Sequence, residues 1–258
     1  MDMPYSLVMT APCQPIPAFI HLAAHPLRWQ LINELAVSDY RVRELVARTG
    51  HPQNLISYHL RALRESELIT STRSSHDGRD SYYHLDLQRC SEQLAAAGSA
   101  IHPGLQMQPR GAAPTPPPGT SVLFVCTGNS ARSAIAEALL RHHTHGRLQV
   151  TSAGTRPRNH MHPNTARVLQ REYGIDIAGQ LPRHLDDFDT AEFTIVITLC
   201  DKARETCPHF DGHSRHIHWS IPDPSTADSA ESYPAFKRTA ININTRIHYL
   251  QAVVGDRS

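Results

Sequence analysis

The chain has 258 residues, 40% apolar and 19% charged, with 25 basic and 24 acidic side chains and a formal net charge of +1. These totals suit one large or two ordinary globular domains. They exclude a global electrostatic attraction to nucleic acid or membrane, while a local basic face stays open. No apolar run is long enough to span a bilayer, and the first residues lack the basic-then-apolar order of a secretory signal. Five cysteines, an odd number, argue against a secreted disulfide framework. They favour cytoplasmic residence, where clustered thiols act in catalysis or as ligands.

Residues 1–14 are expected to form a disordered leader, and residues 15–97 a first domain. A helical stretch runs from about Ala18 to Leu35, with Leu27, Leu31, Ile32 and Leu35 at helical spacing. A second helix, Arg41 to Arg48, ends at the C-capping Gly50. A third starts near Pro52 and carries Leu55, Ile56, Leu60, Leu63 and Leu68. Ile69–Thr72 and Ser81–Leu85 flank the turn Asp77-Gly78-Arg79, which reads as a β-hairpin. Two helices across a tight turn and then a hairpin predict a mainly α winged helix-turn-helix. Residues 98–119, GSAIHPGLQMQPRGAAPTPPPG, are a linker rich in Pro and Gly with no apolar period.

Residues 120–258 alternate strands and helices. The apolar run Val122–Val125 leads into Cys126-Thr127-Gly128-Asn129-Ser130-Ala131-Arg132-Ser133 and a helix over Ala134–Leu140. A strand over Leu148–Thr155, a helix over Pro163–Tyr173, and strands at Phe193–Leu199 and near His216–Trp219 follow, with a last helix from about Tyr233 to Val254. This order predicts an α/β domain with a parallel four-stranded sheet, and parallel sheets bind ligands at the carboxyl ends of their strands.

The octet carries the chemistry. Backbone N–H groups between a strand and a helix N-terminus make a cup for an oxyanion, and the same field favours the Cys126 thiolate. Thr127, Gly128, Asn129, Ser130, Ala131 and Arg132 are the expected oxyanion cradle, with Gly128 free of a Cβ clash and Arg132 offering a planar fork. Ser133 and Ser130 are candidate donors to the thiolate. Asp223, between Pro222 and Pro224 after the last strand, suits a general acid. Cys200 and Cys207, after a strand expected beside the first, suit successive thiol exchange better than a zinc pair, because no second ligand pair accompanies them.

Two resemblances follow from these residues. Ala24-His25-Pro26-Leu27-Arg28, Ile56-Ser57-Tyr58-His59-Leu60, Leu63-Arg64-Glu65-Ser66 and Gly78-Arg79-Asp80-Ser81-Tyr82-Tyr83 resemble the ArsR/SmtB group of metal- and metalloid-responsive repressors. The resemblance implies operator DNA as a partner and a homodimer through this domain. It also implies a third helix in the major groove with Gln53, Asn54, Ser57, Tyr58, His59 and Arg61 as contact candidates, and Arg73 and Arg79 on the wing against phosphates. Arg43–Arg48, where arsenic-sensing relatives carry a Cys pair, holds no cysteine. Cys13 and Cys90 are then the remaining candidate arsenite ligands of this half.

The second half resembles the low-molecular-weight tyrosine phosphatase fold and, within it, thioredoxin-coupled arsenate reductases. The resemblance rests on the octet, Ser152-Ala153-Gly154-Thr155, Thr198-Leu199-Cys200, Cys207-Pro208 and Trp219 before Asp223-Pro224. It implies that Cys126 attacks arsenate with Asp223 as acid. Cys200 then resolves the adduct and releases arsenite, and Cys207 moves the disulfide to Cys200–Cys207 for thioredoxin. No cofactor is implied as tightly bound. Asn129, Glu137 and Ser152 match a potassium site of some such reductases, but the expected carboxylate is replaced near Arg183-His184. Three readings stay open: a fused arsenic-responsive repressor and arsenate reductase, a tyrosine phosphatase fused to a DNA-binding domain, and a transcription factor whose second half only senses an oxyanion.

Overall fold

The computed structural model describes residues 16–105, 119–206 and 214–254. The expected leader, Cys13, Cys207 and most of the expected linker lie outside them.

The helix expected from Ala18 to Leu35 is two helices, α1 (Ala18–Ala23) and α2 (Pro26–Val37). Pro26 has no N–H to continue a helix, so it sits at the first turn of a new one. His25 Nδ1 accepts the Leu27 N–H there at 3.2 Å. After β1 (Tyr40–Arg41) come α3 (Val42–Thr49) and α4 (Gln53–Glu65), joined across Gly50 at φ +72°. This left-handed cap is what an expected Gly stop requires. β2 (Ile69–Arg73) and β3 (Ser81–Leu85) form the hairpin, with Ile69 opposite Leu85 and Thr72 opposite Tyr82. Leu31, Leu45, Ile56, Leu60 and Leu63 fill the core beneath it. Helix α5 (Leu87–Ile101), capped by Asp86, follows the hairpin and carries helix into the first four residues of the expected linker.

The second domain runs β4 (Ser121–Cys126), α6 (Arg132–His143), β5 (Gln149–Gly154), α7 (Pro163–Tyr173), β6 (Ile195–Thr198), α8 (Asp201–Thr206), β7 (Arg215–His218) and α9 (Ser229–Val254). Its four strands are parallel in the order β5-β4-β6-β7. All six positions of β4 are buried, as a central parallel strand covered on both faces demands. Val125 pairs with Ala153 on one side and Thr198 on the other, so the carboxyl ends of β4, β5 and β6 meet at one edge. Helix α8 starts directly behind Cys200.

The two domains are in contact. Asp39 donates its N–H to the His218 carbonyl at 2.8 Å, and the His218 N–H donates to Ser38 Oγ at 2.8 Å. The Tyr82 and His218 rings lie 4.6 Å apart.

Candidate active site

The octet wraps the amino end of α6 as a cup. Cys126 is 2% exposed at its base. Its Sγ lies 3.0 Å from Ser133 Oγ and accepts the Asn129 N–H at 3.2 Å. Asn129 takes the left-handed conformation, φ +45°, and its buried side chain holds the cup in shape. Nδ2 donates to Ser133 Oγ at 2.9 Å and Ser152 Oγ at 2.8 Å, while Oδ1 accepts the Arg183 N–H at 2.7 Å.

Packing of the loop itself demands a glycine at Gly154. A Cβ at Gly128 would meet side-chain atoms only at 3.4 Å, an ordinary contact. A Cβ on Gly154, at the end of β5, would come within 2.7 Å of the Thr127 carbonyl oxygen. Gly154 is therefore the residue that lets the loop pack down on the neighbouring strand.

Arg132 and Asp223 face each other at the cavity mouth. Arg132 Nη1 donates to the Ile221 carbonyl at 2.9 Å and Nη2 to Asp223 Oδ2 at 2.7 Å. Burial pushes the Asp223 carboxyl up, but Arg132 and the Ser225 donors outweigh it and hold it below the ordinary carboxylate value. A dianion in the cup would take the same guanidinium and set negative charge beside Asp223. Both effects raise its pKa toward the protonated form that an acid needs. The cavity is about 320 Å³ and is lined also by Arg156, Arg158 and Ser225. Sequence reading missed these two arginines. They follow Gly154, and only the parallel β4–β5 register swings that turn over the octet.

Cys200 joins the site from β6. Its Sγ is 3.3 Å from Thr127 Oγ1 and accepts the Ala203 N–H at 3.4 Å. Burial pushes its thiol up, opposed in part by Arg132. Cys207, the third expected thiol, is outside the described residues.

Asn129, Glu137 and Ser152 do come together, but the positive charge among them belongs to the protein. Buried Glu137 accepts from Ser152 Oγ at 2.6 Å, Gln180 Nε2 at 3.1 Å and Arg141 Nη2 at 2.6 Å, and pairs with the Arg183 guanidinium. Two arginines already neutralise this carboxylate, so the residues do not fit a potassium ion. No metal-holding group of three or more His, Cys, Asp or Glu occurs among the described residues.

On α4, Gln53, Asn54, Ser57, Tyr58 and Arg61 are exposed, as are Arg73 and Arg79 on the wing. His59, expected among the contact candidates, is instead buried at 3% exposure, with its ring 4.3 Å from that of His25. It lies on the inner face because it follows Ile56 and precedes Leu60 and Leu63 at helical spacing. Cys90 is buried in α5, and burial pushes its thiol up to about 11, an inert setting for a ligand thiol.

Residues 121–257 match the model of the low molecular weight phosphotyrosine protein phosphatase family, more than half of the chain. The chain belongs to that family. Residues 25–71 match the arsR family of bacterial regulatory proteins, so an ArsR-type helix-turn-helix precedes the phosphatase-family domain. That domain is similar to an arsenate reductase of Shouchella clausii, 35% identical over 130 residues covering 49% of this chain and 91% of the relative. It is also similar to an arsenate reductase of Bacillus subtilis, 32% identical over 128 residues with the same coverages. A solved arsenate reductase in an oxidised state is 27% identical and covers 52% of this chain and 98% of its own, with a TM-score of 0.47. No helix among the described residues is long and apolar enough to cross a membrane.

Proposed function

We propose that the chain reduces arsenate to arsenite through the phosphatase-family domain and binds operator DNA through the winged helix. The observation that carries the reductase reading is the second buried thiol. Cys200 lies against the nucleophile's own loop through Thr127, where a phosphatase has no use for one. The rim supports it too: Arg156, Arg158 and Ser225 favour a small, highly charged oxyanion over an aryl ester.

The Cys126 thiolate attacks arsenate held by the loop N–H groups and Arg132, with Ser133 stabilising the thiolate. An arsenate hydroxyl leaves as water with the Asp223 proton, giving a Cys126–arsenic(V) bond. The Cys200 thiolate attacks Cys126 Sγ. The arsenic keeps the pair of electrons of the broken S–As bond and departs as arsenite, leaving a Cys126–Cys200 disulfide. Cys207 then attacks Cys200 and frees Cys126, and the Cys200–Cys207 disulfide passes to thioredoxin. In total two thiols lose two electrons and two protons, and arsenate becomes arsenite and water.

The exposed polar face of α4 and the wing arginines support major-groove binding. Exposed Ile20 on α1 and Leu94 and Ile101 on α5 support a homodimer through the N-terminal domain.

Thioredoxin-coupled arsenate turnover tests the reading. Cys200→Ser and Cys207→Ser are expected to lose it while still hydrolysing an aryl phosphate, and Cys126→Ser to lose both activities. Undiminished arsenate turnover in the first two variants would sink the relay.

A further inference from the structure

Helix α8 lies between the thiols at positions 200 and 207, and it is also the part of the phosphatase-family domain that grips the wing. Asp201 Oδ2 accepts the Ser75 N–H at 2.6 Å. Glu205 Oε1 accepts from Ser74 Oγ and from the Tyr82 hydroxyl, both at 3.0 Å, and lies 3.4 Å from Arg41 Nη1. Arg204 Nη2 donates to Glu44 at 3.4 Å. Asp201, Ser74 and Tyr82 are each 5% exposed or less, so the centre of these contacts is closed, while Ser75 and the Arg204–Glu44 pair lie toward the rim. Three of the six residues of α8 therefore hold the hairpin and the start of α3.

The same helix is short and depends on Cys200. Six residues are too few for a helix to persist on its own propensity. Cys200 Sγ takes one of its free N–H groups, that of Ala203. A disulfide to Cys126 takes this sulfur from Ala203 and leaves that N–H without its acceptor.

We propose that α8 is a redox-operated clasp on the DNA-binding domain. With Cys200 as a thiol it holds the wing. When Cys200 enters a disulfide, α8 unwinds and Asp201, Arg204 and Glu205 release Ser75, Glu44, Ser74 and Tyr82. Other contacts between the domains, Ser38 and Asp39 on β7, Ser220 and Arg246, Tyr82 on His218, and Gln88 on Tyr249, contain no residue of α8, and those of Ser38 and Asp39 serve as the pivot. The redox state of the thiols thereby reaches the hairpin that carries Arg73 and Arg79. The trigger in turnover rests on the proposed relay, in which arsenate takes the two electrons.

Hydrogen–deuterium exchange of the full chain tests this, with disulfides mapped by mass spectrometry in the same samples. After one equivalent of arsenate without reductant, or after the thiol oxidant diamide, peptides over residues 70–86 are expected to exchange at least tenfold faster. Dithiothreitol reverses the change, and residues 36–39 stay protected. Cys200→Ser shows no response. The double variant Asp201→Asn, Glu205→Gln exchanges fast at the wing even when reduced and gains nothing on oxidation. A mapped Cys200 disulfide with wing exchange unchanged within twofold overturns the clasp, as does failure of both oxidants to engage Cys200. A disulfide that forms and opens the wing with diamide but not with arsenate supports the clasp and sinks the relay.

Discussion

The Asp39 carboxylate of the winged-helix domain accepts the Ser220 N–H at 2.7 Å, a bond between residues 181 apart in sequence. Ser220 opens the loop that presents Asp223, so the DNA-binding domain takes part in fixing the expected acid. Arg246 Nη1, at 3.0 Å, and His84 Nδ1, at 3.1 Å, complete the carboxylate's shell. Burial pushes the Asp39 carboxyl up, yet Arg246 and His84 hold it far below its ordinary value.

Removing one member of such a buried pair costs about 3–5 kcal/mol. Asp39→Ala is therefore expected to lower stability by that order in denaturant unfolding and to reduce kcat for arsenate more than it raises KM. Asp39→Asn combined with Arg246→Met recovers most of the stability, because no unpaired charge remains. The folded-state pKa is depressed, so this stabilisation is complete above the unfolded value near pH 4 and is lost as pH falls below it. Acid titration of the unfolding free energy, wild type against the double variant, measures the difference.

Ser133→Ala removes the hydroxyl 3.0 Å from Cys126 Sγ. A hydrogen bond to a charged group contributes about 1.5–3 kcal/mol, so kcat/KM is expected to fall roughly 10- to 100-fold. An unchanged kcat/KM would remove Ser133 from stabilising the nucleophile.

Arg183 supplies the cation beside Glu137. Exchanging potassium for sodium or choline is expected to leave wild-type arsenate turnover and Tm unchanged. Arg183→Gln leaves Glu137 with Arg141 as its remaining ion pair and is expected to cost about 1–3 kcal/mol. That corresponds to roughly 2–4 °C of Tm per kcal/mol, part of which potassium restores. A wild-type enzyme that needs potassium would contradict this account.

Arg61→Ala on the exposed face of α4 is expected to weaken DNA binding at every sequence tested. It should also reduce the slope of log K against log salt by about 1. His59→Ala is expected to act through stability instead, because burial lowers the His59 pKa and its ring packs inside against His25. Gel-shift titrations at three salt concentrations, paired with thermal melts, separate the two effects.

Both expected architectures were readable because their signals are local. The Gly50 stop, the hairpin turn and the apolar period of α4 each act within one or two turns of chain. Pro26 carries a local signal too: lacking an N–H, it starts a new helix, so the apolar spacing over Ala18–Leu35 spans two helices rather than one. The inward face of His59 is legible in the sequence as well, because Ile56 and Leu63 lie three and four positions from it on one side of α4.

The sequence by itself determined the reactive loop. A strand, a cysteine, a run of small residues and a helix start must present N–H groups together, since the amino end of a helix has no internal partners for them. Only the tertiary structure decided what stands around it. Gly154, Arg156, Arg158 and Arg183 reach the loop through the parallel pairing of β4 and β5 and the chain that follows. Asp39, Ser75 and Tyr82 reach the acid loop and α8 across a domain interface. Such contacts join residues tens to hundreds of positions apart, and they follow from how buried surfaces fit rather than from any spacing along the chain.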